Sequence, residues 1–227
     1  LRYAPGESFV NSKQRRVPVS LDAPVFTLTH AMGFKGVLGG EYNFNRTEAS
    51  IWKRFWLPAS WGKIDCSVKA GAEWNTVPFP LLILPEANLS YITQRETFCL
   101  INNMEFLNDR FASMSISYDM NGKLFNRIPL LKNLKWREMF RVRALWGTLT
   151  DKNNPFKSSN PDLFRFPTRD GKFTSFVMDP KVPYVEASVG IYNIFKLLHV
   201  EYVHRFTYRD NPGINKNGIR FMVLMVF

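Results

Sequence analysis

The feature that most constrains this chain is a side-chain alternation of period two, held over stretches of ten residues and more. Ile64, Cys66, Val68, Ala70, Ala72 and Trp74 alternate with Lys63, Asp65, Ser67, Lys69, Gly71 and Glu73. Ala112, Met114, Ile116, Tyr118 and Met120 alternate with Phe111, Ser113, Ser115, Ser117 and Asp119. Val185, Ala187, Val189 and Ile191 do so with Glu186, Ser188 and Gly190, and Val200, Tyr202, His204 and Phe206 with His199, Glu201, Val203 and Arg205. Successive side chains of a strand point to opposite faces, so each stretch predicts a strand with one apolar and one polar face. Eight strands are predicted, at about 25–34, 41–57, 62–74, 110–121, 136–149, 183–193, 197–208 and 216–227. Strands of globular proteins usually run about five or six residues, whereas a strand that crosses a bilayer at a tilt needs about nine to eleven.

The connections carry a second pattern. Those at 58–61 and 193–197 are short, and those at 75–109 and 150–182 are long and rich in Pro and Asn. Short turns at one end and long loops at the other is the layout of an outer-membrane barrel. The connection at 122–135 falls on the short-turn side without being short. Trp56, Trp61 and Trp136 fall at strand ends on the short-turn side, and Trp74 and Trp146 on the long-loop side. Indole rings favour both membrane interfaces.

These patterns predict an all-β chain: a transmembrane antiparallel β-barrel over 25–227, preceded by a loop or linker at 1–24. The barrel interior takes the polar face, with Lys63, Asp65, Lys69, Glu73, Asp119, Arg141, Arg143, Glu186, Glu201 and Arg205. Neighbours of opposite sign on one face of a sheet lie close enough to pair. The same face would be solvated in a soluble sandwich, so periodicity alone leaves both readings open. The stretch "VPFPLLILP" is too apolar for a solvated loop of its length. Its Pro78, Phe79 and Leu82 are therefore expected to turn inward, with Arg95 and Arg110 as candidate anchors. Lys123, Arg127, Lys132 and Lys135, interleaved with leucines and broken by Pro129, form a basic amphipathic turn suited to lipid head groups or to a periplasmic domain. The last strand ends in Phe221, Val223, Met225 and Phe227 on one face, as a strand that closes a barrel or is read as an insertion signal would.

Charge bounds the partners. Thirty Lys and Arg against 19 Asp and Glu give +11, which admits anionic lipid, acidic glycan or nucleic acid. Aromatic and basic residues lie on opposite faces of the same strands, which suits a wall between lipid and water better than a nucleic-acid platform. No catalytic, cofactor or metal constellation stands out: His199 and His204 fall on opposite faces, and no phosphate-binding glycine loop is present. Cys66 and Cys99 lie in apolar stretches without a metal-like spacing.

Several stretches are specific enough to carry a resemblance: "FKGVLGGEYNFNR", "KRFWLPASWGKID", "NNMEFLNDRFASMSISYDMNGKLFNRIPLLKNLKWRE", "TDKNNP" and "PYVEASVGIYNIFKLLHVEYVHRFTYRDNPGINKNGIR". With the aromatic end, they resemble the C-terminal barrel of a Bacteroidetes outer-membrane family whose members carry a carboxypeptidase-regulatory-like domain in front of the barrel. The order of the last five strands also looks like the end of Bam-type assembly and two-partner secretion barrels, which have sixteen strands. In those, the long loop before the last five strands folds into the lumen on an Arg-Gly-Phe motif, and 75–109 occupies that place without the motif. The resemblance implies eight C-terminal strands of a roughly sixteen-strand barrel in the outer membrane of a Gram-negative bacterium. It further implies membrane lipid and lipopolysaccharide around the chain, other outer-membrane or periplasmic proteins as partners, and a part in envelope protein assembly or export, without cofactor or enzymatic activity. A soluble basic all-β module that binds glycan or nucleic acid is the other reading.

Overall fold

The structure is a computed structural model that describes residues 1–20, 22–94, 96–157, 163 and 168–223. In chain order the strands are β1 (Arg2–Tyr3), β2 (Phe9–Asn11), β3 (Arg16–Pro18), β4 (Val25–Gly33), β5 (Phe44–Trp56), β6 (Lys63–Glu73), β7 (Arg110–Asp119), β8 (Arg137–Thr148), β9 (Thr168–Arg169), β10 (Lys172–Phe173), β11 (Tyr184–Ile194), β12 (Leu198–Arg205) and β13 (Asn217–Val223). The chain is all-β and antiparallel. One nine-stranded sheet runs β1-β4-β5-β6-β7-β8-β11-β12-β13, a meander in which sequence neighbours are spatial neighbours, and β2-β3 and β9-β10 are small hairpins. Among the described residues no ladder joins β13 back to β1. No described helix is long and apolar enough to cross a membrane, which says nothing about crossing by strands.

The long strands follow the alternation, and their ends have local causes. β5 starts at Phe44 rather than 41 because residues 34–40 close a turn, with Gly36 N–H bonded to Gly40 C=O at 2.7 Å. β12 stops at Arg205 because the Thr207 hydroxyl, not a backbone carbonyl, accepts the Val185 N–H, and Tyr208 turns to φ +52°. The expected linker 1–24 is partly structured. Arg2 and Tyr3 pair with Thr27 and Phe26 on β4, and β2-β3 form an exposed hairpin. Residues 224–227, with Met225 and Phe227, lie outside the described residues.

Register sorts the two faces. Ile51, Val68, Met114, Ala144 and Val185 stand opposite one another across five strands, as do Phe140, Val189, Tyr202 and Ile219 across four. This face is apolar and open: Val68 is 46% exposed, Val189 45% and Tyr202 46%. The other face carries the charges and is covered. Glu201 and Arg205 are fully buried, and Arg141, Arg143, Glu73 and Glu186 nearly so. The cover is the connection between β6 and β7, which folds back over the inner face. Its Phe98, Ile101 and Phe106 pack with Leu145, Met178 and Tyr184, while Val77, Leu82 and Leu107 pack with Leu149. The apolar core thus lies between sheet and loop, not between two sheets.

The β5–β6 turn depends on Gly62. It has φ +89°, and a Cβ there would stand 1.8 Å from the Asp119 carbonyl oxygen. Gly62→Ala is expected to lower stability by more than about 1 kcal/mol, because the left-handed backbone and the clash act together. A shifted urea midpoint with an unchanged slope would report it.

Candidate functional site

The alternation of β8, β11 and β12 puts Arg143, Glu186 and Arg205 in register on the inner face, Glu186 opposite both arginines. Glu186 accepts Arg143 Nη1 at 2.9 Å and the Tyr184 hydroxyl at 2.9 Å. Its carboxylate also accepts the backbone N–H of Cys99 at 2.9 Å and of Leu100 at 3.0 Å. The wall therefore holds the loop by its backbone. Arg205 completes the grip: it donates to both oxygens of Glu105, at 3.0 and 2.6 Å, and to the Leu100 carbonyl at 3.2 Å. Its guanidinium lies 4.8 Å from the Tyr184 ring centroid. Arg220 on β13 donates to the Cys99 carbonyl. Two residues back along β8, Arg141 donates to both oxygens of Glu201, at 3.0 and 3.1 Å, and Glu201 also takes the Ser188 hydroxyl. Buried charges are tolerated when paired and fully hydrogen-bonded, and planar guanidinium suits bidentate pairing.

A second clasp joins the two long loops. The Asp109 carboxylate accepts from the Thr150 hydroxyl and backbone N–H and from Asn153 Nδ2 at 3.0 Å, while Asn153 Oδ1 accepts the Val77 N–H at 2.9 Å. "TDKNNP" thus meets "LNDR". Likewise Asn211 of "YRDNPG" donates to Glu105 at 2.9 Å, so that loop closes on the first clasp.

The loop covers only part of the inner face. Beside it lies a cavity of about 940 Å³ between the loop and the inner face, with lining residues that include Asp65, Lys69, Ser113, Ser117, Tyr192 and His199. Ion pairs in its lining join Arg54 with Asp65 at 2.6 Å, Lys63 with Asp119 at 3.6 Å, and Lys69 with Glu86 at 2.5 Å and Glu48 at 3.7 Å. Among the described residues no cluster of His, Cys, Asp and Glu could hold a metal, and both cysteines are free.

The structure brings Lys63, Lys69, Glu73, Arg141, Arg143, Glu186, Glu201 and Arg205 to one face. Within the covering loop it buries Pro78 and Leu82 and half-buries Phe79. Arg110 departs from the expectation of an anchor: it opens β7 exposed, on the apolar face, because the strand's parity gives the inner positions to Phe111 and Ser113. Arg95 lies outside the described residues. Lys123, Arg127, Lys132 and Lys135 share the turn between β7 and β8, with a short helical turn at Pro129–Lys132. Phe221 and Val223 are exposed on the apolar face. Sequence reasoning missed Glu105, Asp109, Asn153 and Arg220. The available signal was an acid inside an otherwise apolar loop, "NNMEFLND", which has reason to be there only if a cation waits for it.

Burial pushes the Cys99 thiol above its usual range. In a Cys66→Ser background, maleimide should therefore leave Cys99 nearly unmodified at pH 8. Glu105→Ala leaves Arg205 buried without its carboxylate, at a cost of about 3–5 kcal/mol. Cys99 labelling should then become fast. The pair Glu105→Leu with Arg205→Met should recover much of the protection, since both charges are then gone.

A family model described as the C-terminal domain of a family of unknown function (DUF5686) matches residues 1–156. No curated protein and no solved structure matches the chain. The matched span runs from β1 through β8 and includes the covering loop, the β7–β8 turn and the whole of "TDKNNP". The match covers well over half of the 227 residues, and on that ground the chain belongs to the DUF5686 family, as its C-terminal domain.

Proposed function

We propose that this chain is a wall of an outer-membrane β-barrel, with β4–β8 and β11–β13 spanning the bilayer and residues 74–109 held as an inner plug. The observation that carries the reading is the inversion of the sheet: its open face is apolar and its buried face is ionic. A soluble sheet buries the apolar face instead. Strand length supports the reading, since β5 has 13 residues, β6 11, β7 10, β8 12 and β11 11. The sheet edges support further strands on both sides, as in the C-terminal half of a roughly sixteen-strand barrel. β4 is covered by β1 over only two residues, and β13 meets residues 91–93 only at Phe221. Backbone groups left open in lipid cost several kcal/mol each, so such edges need partners. In that setting the chain serves envelope protein assembly or export, or an outer-membrane complex, with lipopolysaccharide and lipid outside and a non-enzymatic role.

The test is a pair of lysines. In a bilayer, Val68→Lys on the open face should cost about 2–4 kcal/mol, while Ser117→Lys, which enters the cavity in register with Asp65, should cost much less. In a soluble module the order reverses or vanishes, because Val68 would already face water. Urea titration of detergent-folded protein, with heat-dependent gel migration as the fold marker, reads the difference. Equal effects of the two lysines would remove the membrane reading.

A further inference from the structure

We propose that the short-turn end of the sheet is a docking surface for anionic phospholipid head groups, an inference that rests on the membrane reading above. The meander puts four connections at this end: the one between β1 and β4, then 57–62, 120–136 and 195–197. The last three contain Lys123, Arg127, Lys132, Lys135 and Lys196 and not one Asp or Glu, while the first carries both signs, with Lys13, Arg15 and Arg16 against Glu7 and Asp22. The connections at the opposite end carry both signs, with Glu41, Glu86, Glu105, Asp109, Asp151, Asp179 and Asp210 among them. The +11 charge of the chain is therefore not spread evenly: three neighbouring turns of one end carry bases and no acid of their own.

The three turns are tied into one surface. Lys123 Nζ donates to the Ala59 carbonyl at 2.9 Å and lies 5.1 Å from the Trp61 ring, with the Arg127 guanidinium 6.0 Å from the same ring. Asn193 donates to the Lys135 carbonyl at 2.7 Å. From this base large apolar side chains stand out into the surroundings: Leu130 is 84% exposed and Phe195 86%, with Ile128 and Leu134 beside them. Water alone would oppose such exposure, and a purely basic partner site would not need it. Leucines and a phenylalanine that dip among acyl chains, beneath lysines and an arginine at phosphate level, satisfy both features at once. An anionic phosphodiester is the occupant that the charge selects, since bases near a lipid surface gain from anionic and not from zwitterionic head groups.

The experiment uses the full chain inserted in phosphatidylcholine bilayers, with spin-labelled phosphatidylglycerol or phosphatidylcholine as the probe. The readout is the motionally restricted fraction of each probe at the protein. Phosphatidylglycerol is expected to associate several-fold more strongly than phosphatidylcholine. Lys132→Ser with Lys135→Ser, both exposed residues, should bring that preference down to near parity, and Lys35→Ser at the opposite end should leave it intact. Equal association of the two probes with an inserted protein overturns the inference and leaves the membrane reading standing. Equal association accompanied by self-association that Leu130→Ser abolishes gives the surface to a second copy instead, and also overturns it. A protein that restricts neither probe has not inserted, which overturns the membrane reading and this inference with it.

Discussion

Glu186 sits between Arg143 and Arg205 on the inner face and takes the backbone N–H groups of Cys99 and Leu100 as well. The rest of the arrangement depends on this carboxylate. A bare ladder of charges inside a sheet repels or solvates its members. Here the loop supplies what the ladder lacks: N–H donors for Glu186, the Glu105 carboxylate for Arg205, and the Cys99 and Leu100 carbonyls for Arg220 and Arg205. The loop in turn has no regular structure of its own over most of its length, so its buried backbone groups need partners from the wall. Each half satisfies the other, and neither is a stable surface alone.

That dependence explains why an apolar loop packs on a charged face. Phe98, Ile101 and Phe106 cluster with Tyr184, Leu145 and Met178 at the long-loop end, where Arg205 pairs with Glu105, and the Arg143–Glu186 and Arg141–Glu201 pairs follow toward the middle of the strands. Replacing such pairs by apolar residues can stabilise a protein, yet removing one partner is strongly destabilising. Charges on the wall therefore fix where the loop lands rather than how tightly it sticks. Glu105 has one place to go, opposite Arg205. A greasy inner face would accept "VPFPLLILP" in many registers.

Much of the sheet was legible because period two is a local property. Lys63 through Glu73 and Tyr184 through Ile191 each announce both of their faces without reference to any other segment. Register and the inner partners were not legible in the same way. Whether Glu186 meets Arg143 depends on the length of the connection at 150–182, and whether Arg205 meets Glu105 depends on a loop that crosses about a hundred residues of sequence. Arg110 shows the limit from the other side. A cation next to a long loop looks like an anchor, but strand parity decides its face, and a shift of one residue separates Arg110 from the inner positions. Asn153 and Asp109 were quoted within matching stretches without a role. Their role is the mutual contact of the two long loops, which no single stretch contains.

The two sides of the inner face differ in how firmly the loop is held. On β8, β11, β12 and β13 the contacts are multiple and buried, through Arg143, Glu186, Arg205 and Arg220. On β5 and β6 the side-chain contacts of the loop's middle are Arg46 with the Leu81 carbonyl and Lys69 with Glu86, a carboxylate that is 45% exposed, while its two ends are held by Glu73 N–H on the Asp109 carbonyl and Trp74 N–H on the Asn45 carbonyl. An exposed ion pair contributes about 0–1 kcal/mol, and salt screens it. Between this loose side and the serines of β7 lies the cavity of about 940 Å³. The weakest contact of the loop with the wall is thus the Lys69–Glu86 pair, and the firmest are those in which the loop's own N–H groups and Glu105 fill the buried Glu186 and Arg205. Register is set where the contacts are buried and multiple, because only there does a shift leave a charge without a partner.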